Sequence, residues 1–167
     1  MSKLSNMITK VEEVIIIILM AALAILMTLS VVFRYFLKDP IPWAGEVSIF
    51  LLIWTSFLGG SWGLKYGTQA SVTFVYDAFS DEKKKILRIV QDIIMIIFLF
   101  VLLFYSYKWM ALPSTMIQKS SSLQLPMIIP YSAVPIGLTF ATIHIIARLI
   151  ETFQGKETLQ EKRDNVA

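Results

Sequence analysis

Apolar residues fill four long runs of the sequence, at 14–33, 47–64, 93–112 and 127–147, and charge is confined almost wholly to the stretches between them. A bilayer's hydrocarbon core is about 30 Å thick, and a helix rising about 1.5 Å per residue needs roughly 20 apolar residues to cross it. Each run is long enough, or nearly so. Residues 15–20 are apolar on every side, with none of the period-two alternation of a barrel strand, so the runs read as helices. The expected fold is an all-α integral membrane protein with four transmembrane helices. It forms a single membrane domain over 1–167, with spans at 14–33, 43–64, 89–112 and 127–150 and a polar cytoplasmic tail at 152–167.

The connections refine this picture. Residues 1–13 form a short polar lead in which Lys10, Glu12 and Glu13 suit a helix start at headgroup level. Pro40 and Pro42 exclude a continuous helix through the first connection, and Trp43 sits where an interfacial tryptophan is expected. In the second connection, Val72, Val75, Tyr76 and Phe79 fall at helical spacing and suggest a short interfacial amphipathic helix between spans two and three, with a plain loop as the alternative. Ser80 and the acids after it resemble a capped helix start. The third span is the weakest, because Asp92 and Lys108 bracket only 15 uncharged residues. Pro126 and Pro130 suit a loop and a first helical turn, whereas Pro135 is placed to kink the fourth span.

Charge then sets an orientation. Lys3 and Lys10, Lys65, Lys83, Lys84, Lys85 and Arg88, and Arg148, Lys156, Lys162 and Arg163 share one side, eleven in all. The other side holds four: Arg34, Lys38, Lys108 and Lys119. The positive-inside rule therefore puts both termini in the cytoplasm. A chain that is 56% hydrophobic with a mean hydropathy of +0.69 has the lipid bilayer as its solvent, and its net charge of +3 serves topology and not nucleic acid. The absence of cysteine excludes disulfides, thiolate metal sites and dithiol chemistry.

Little in the chain points to chemistry. There is no phosphate loop, zinc spacing or paired nucleophile and base, so neither an enzyme nor a cofactor is expected. Glu46 lies one turn past Trp43, near the interface and not at mid-bilayer, and is expected to pair with a cation on a neighbouring helix or partner subunit. The lone His144 argues against a two-histidine haem site and is read as a structural hydrogen-bonding group. Asp92 is expected to cap or to pair with Lys84, Lys85 or Arg88. Ser56/Gly60 and Gly59/Gly63 have the spacing of a close-packing helix face, within the chain or between subunits. Trp54, Trp62 and Trp109 read as packing or interface anchors.

Residues 34–67, RYFLKDPIPWAGEVSIFLLIWTSFLGGSWGLKYG, resemble the small membrane subunit (DctQ-like) of tripartite ATP-independent periplasmic (TRAP) transporters. The likeness rests on Arg34-Tyr35 closing the first span, Pro42-Trp43, Glu46, Trp54, and Gly59 with Lys65 following. The stretches 70–88 and 121–138 resemble the family too. Gly45 departs from it, standing where an acidic residue commonly precedes Glu46, and Gln69-Ala70 replaces a His-Ile-like pair.

The resemblance implies an accessory scaffold in the bacterial cytoplasmic (inner) membrane. Its partners would be a large membrane subunit of about a dozen spans and a periplasmic substrate-binding protein, in a sodium-coupled importer of organic acids such as C4-dicarboxylates or sialic acids. It further implies that Arg34, Trp43, Glu46, Trp54, Gly59 and Gly63 are subunit-interface residues. Lys38 and Lys119 lie on the surface expected to dock the binding protein. The residues alone leave open a self-sufficient homo-oligomeric transporter coupled through Glu46, and a membrane-anchored assembly factor.

Overall fold

The computed structural model describes residues 2–66 and 81–154, which are all-helical with no extended strand among them. Six helices follow one another: α1 (Ser2–Tyr35), α2 (Ala44–Tyr66), α3 (Asp81–Met110), α4 (Pro113–Ile117), α5 (Ile128–Tyr131) and α6 (Ala133–Phe153). Four stretches are long and apolar enough to cross a membrane: Lys3–Tyr35, Ala44–Tyr66, Lys85–Met110, and Ile128–Phe153, which combines α5 and α6. The expected amphipathic segment at 72–79, the cap at Ser80 and the tail beyond 154 lie outside the described residues.

Element ends follow local chemistry. The expected polar lead is instead continuous helix from Ser2, since no Gly or Pro interrupts 2–35. After Tyr35 the chain leaves the helix with Lys38 in the left-handed region at φ 55, and Asp39 N–H donates back to Phe33 O at 3.1 Å. The third span stops at Met110 because Pro113 follows. Leu112 is extended at φ −68, ψ 134, as a residue before proline prefers, and Pro113 opens α4.

Pro135 does not kink the middle of a helix. Its ring would clash with the carbonyl of Tyr131, and the chain divides there into α5 and α6, leaving Pro135 in a first turn where no amide hydrogen is needed.

Helix α6 is the pillar of the fold. It packs against α2 and α3 and touches α1, while α2 fills the space between α1 and α6. Half of the apolar window of Ile128–Phe153 is buried, against none of that in α1. A core of Leu64, Leu99, Ala141 and Ile145 joins α2, α3 and α6, with Met95, Ile96 and Leu138 packed on it.

Lipid tails are as apolar as leucine, so membrane helices gain from close approach of small residues more than from the hydrophobic effect. That approach centres on Gly137, where an added Cβ would lie 2.8 Å from Phe57 Cβ and 2.9 Å from the Phe57 carbonyl oxygen. By contrast, a Cβ on Gly59 or Gly60 would meet nothing within 4 Å.

Candidate functional site

Two polar clusters close the bundle, one at the end where α1 meets α2 and α3 meets α6, the other at the end that holds residue 2 and residue 153. At the first, Gln118 to Met127 fold into a tight hairpin. Ser120 N–H donates to Leu125 O at 2.8 Å, Met127 N–H to Gln118 O at 2.9 Å, and Gln124 takes a left-handed φ of 55. The amides at its tip point the same way, a geometry that cradles an anion.

The chain supplies that anion. Glu46, in the first turn of α2, accepts from Ser121 N–H at 2.8 Å through Oε1 and from Ser122 and Leu123 N–H at 3.1 Å each through Oε2. Within this chain Glu46 is held by three backbone donors and not by a cation of a neighbouring helix, because a carboxylate bonds converging amides as well as it bonds an ammonium.

At the opposite end, one face of α6 ties down the other three long helices. His144 bonds Ser5 Oγ through Nδ1 at 2.7 Å and Glu12 Oε2 through Nε2 at 2.9 Å, both on α1. One turn later, Arg148 forks onto Asp92 of α3, with Nε donating to Oδ2 at 3.3 Å and Nη2 donating to Oδ1. Its Nη1 donates to the Leu64 carbonyl at 3.1 Å, satisfying an orphan acceptor at the end of α2. Lys65 Nζ donates to Asn6 Oδ1 at 2.6 Å, a further tie between α2 and α1.

Glu12, Asp92, His144 and Arg148 are all buried, and isolated charges there would cost several kcal/mol each, roughly, so each is held against a partner. Asp92 therefore takes Arg148 as an ionic partner, a residue absent from the expected set of Lys84, Lys85 and Arg88, of which the Lys84 side chain lies outside the description. An arginine on the central helix reaches the carboxylate without leaving the interior.

The expected site residues do not converge. Arg34 and Lys38 are exposed near the end of α1, Trp43 is 41% exposed before α2, and Lys119 is exposed at the base of the hairpin that Glu46 holds. Trp54 and Gly59 are half-buried on α2, Ser56 and Gly60 are exposed, and Gly63 is buried within the chain.

Sequence reasoning missed Glu12, Arg148 and Gly137 as fastening positions. The four-residue spacing of His144 and Arg148 in an otherwise apolar span was the available signal for Arg148. Among the described residues no three His, Cys, Asp or Glu side chains are grouped to hold a metal. The clusters can join helices and fix a loop; Asp92 is held through both carboxylate oxygens, whereas Glu12 bonds through Oε2 and its Oε1 is buried without a hydrogen-bond partner.

Comparison with known proteins shows the family. Residues 4–155 match the family described as tripartite ATP-independent periplasmic transporters, DctQ component. A TRAP transporter small permease protein of Haemophilus influenzae is 28% identical over 152 residues, covering 91% of this chain and 93% of that one. The C4-dicarboxylate TRAP transporter small permease protein DctQ of Vibrio cholerae is 23% identical, covering 93% and 76%. The isethionate TRAP transporter permease protein DctMQ of Oleidesulfovibrio alaskensis is 24% identical over 88% of this chain but only 24% of its own length, so there a similar unit occupies a quarter of one much longer polypeptide.

Proposed function

Since this chain belongs to the DctQ component family of tripartite ATP-independent periplasmic transporters, and is a small permease subunit of the inner membrane and not an enzyme, we propose that it braces a larger transport subunit without carrying cargo itself. The observation that carries the proposal is the occupation of Glu46. A self-sufficient carrier needs a carboxylate free to bind and release an ion, yet this one is saturated by the amides of 121–123. Asp92 is likewise engaged by Arg148 through both oxygens, and Glu12 bonds His144 through Oε2.

The larger subunit would pack on the exposed part of α2, where Gly59 and Gly60 leave room for a second helix, with Arg34, Trp43 and Trp54 at its margins. The termini would face the cytoplasm, as the basic residues require. The opposite end would help dock a periplasmic binding protein through Lys38 and Lys119, with Glu46 holding the Lys119 hairpin in shape. The cargo would be an organic acid of the C4-dicarboxylate or sialic acid kind, drawn in by a sodium gradient. The C4-dicarboxylate relative supports that class.

Reconstitution in liposomes tests the reading. The chain alone should move no organic acid. Sodium-driven, binding-protein-dependent uptake should appear only when the larger subunit is present. Uptake by the isolated chain that Glu46→Gln abolishes would overturn the proposal in favour of a homo-oligomeric carrier.

A further inference from the structure

The first three turns of α1 are inside out. Ser5, Thr9 and Glu12 are 3%, 3% and 0% exposed, and Ser5 and Glu12 bond His144 of α6. On the opposite face Leu4, Met7 and Val11 are 48%, 67% and 54% exposed. A helix lying in water shows the reverse pattern. Leu4, Met7, Val11, Val14 and Ile18 advance by three or four residues, so they form one exposed apolar line that runs unbroken into the span.

Length says where that line must go. The 34 residues of α1 make a rod of about 51 Å, against about 30 Å of hydrocarbon and about 40–45 Å of whole bilayer. The line therefore extends past the acyl region into a headgroup layer. There Lys3 and Lys10, both exposed and seven residues apart, flank it on one edge, about a quarter turn from its centre. Lys10 lies about 10 Å deeper than Lys3 along the axis, and its long side chain reaches back towards the same phosphate level.

We propose that the first turns of α1 are a binding site for anionic phospholipid, with the headgroup region beside Leu4 and Met7, acyl chains on Val11 and Val14, and phosphate on Lys3 and Lys10. A partner helix fits this face less well. Close helix packing in a membrane uses small residues, and Leu4, Met7, Val11, Val14 and Ile18 include none. The charge beside the line is also the sign that complements phosphate.

The absence of cysteine allows a direct test with the full chain assembled with its larger subunit. Met7→Cys carries a fluorescent label in nanodiscs of phosphatidylcholine, alone or with about a third phosphatidylglycerol, each doped with a lipid carrying its quencher at the glycerol end of the chain. Quenching should rise severalfold with phosphatidylglycerol. Lys3→Gln with Lys10→Gln should shift the phosphatidylglycerol needed by about fivefold per lysine. The same label at Val14→Cys, quenched by lipid in every variant, checks that the helix is in place. Equal quenching in both lipids, or shielding of the Met7 label that vanishes when the larger subunit is omitted, would overturn the proposal; the second outcome would assign the face to protein.

Discussion

Glu12 and His144 stand 132 residues apart in sequence and 2.9 Å apart in space, both buried, and their contact fixes the N-terminal part of α1 to the central helix. Removing Glu12 leaves His144 Nε2 buried without a partner, and removing His144 leaves the Glu12 carboxylate buried with none. We expect Glu12→Ala and His144→Ala to be separately destabilising and the double variant to cost clearly less than their sum. A coupling of about 0.5–3 kcal/mol from a double-mutant cycle, read from denaturant-induced unfolding in mixed micelles, would be the signature.

Arg148 and Asp92 extend the same logic to α3. Arg148→Ala should cost about 3–5 kcal/mol, since it leaves a buried carboxylate without its ion pair and frees the Leu64 carbonyl. Replacing both members with leucine should recover much of that loss. An unfolding curve for the double variant no better than that of Arg148→Ala would contradict the assignment.

Gly137 and Gly60 should respond oppositely to alanine. At Gly137 the new methyl meets the Cβ and backbone of Phe57, which cannot swing aside, so α2 and α6 must separate at a cost of about 1–3 kcal/mol. At Gly60 nothing lies within 4 Å, so Gly60→Ala should leave the isolated chain as stable or slightly more so. If α2 packs on the larger subunit there, the same change should weaken co-purification. Thermal stability and pull-down yield separate the two effects.

Glu46→Ala should loosen the 118–127 hairpin without unfolding the bundle, because its three acceptor contacts all go to that loop. Amide hydrogen exchange at Ser121, Ser122 and Leu123 should quicken severalfold while exchange in α6 stays unchanged. In the assembled transporter, uptake should fall mainly at low binding-protein concentration. Unaltered exchange at those three amides would refute the clamp.

Much of the fold was legible because solvent alone dictates it. Four apolar runs must become helices where no water can satisfy a backbone, and the residues at 34–67 carry the family resemblance in local order. The helix end before Pro113 and the chain break before Pro135 likewise follow from proline's geometry.

Partner choice was not legible. Composition shows Glu12, Glu46, Asp92, His144 and Arg148 as polar residues near apolar runs, but their partners lie far away along the chain or, for Glu46, are backbone amides that every residue possesses. Nor could spacing distinguish Gly137, pressed against Phe57, from Gly59 and Gly60, which face open space. The sequence by itself determined residence in the membrane and the number of spans, because transfer into lipid depends on each segment's own composition. Only the tertiary structure decided that α6 is the pillar, which charges it satisfies and which glycine lets it approach α2, because those depend on distances between segments.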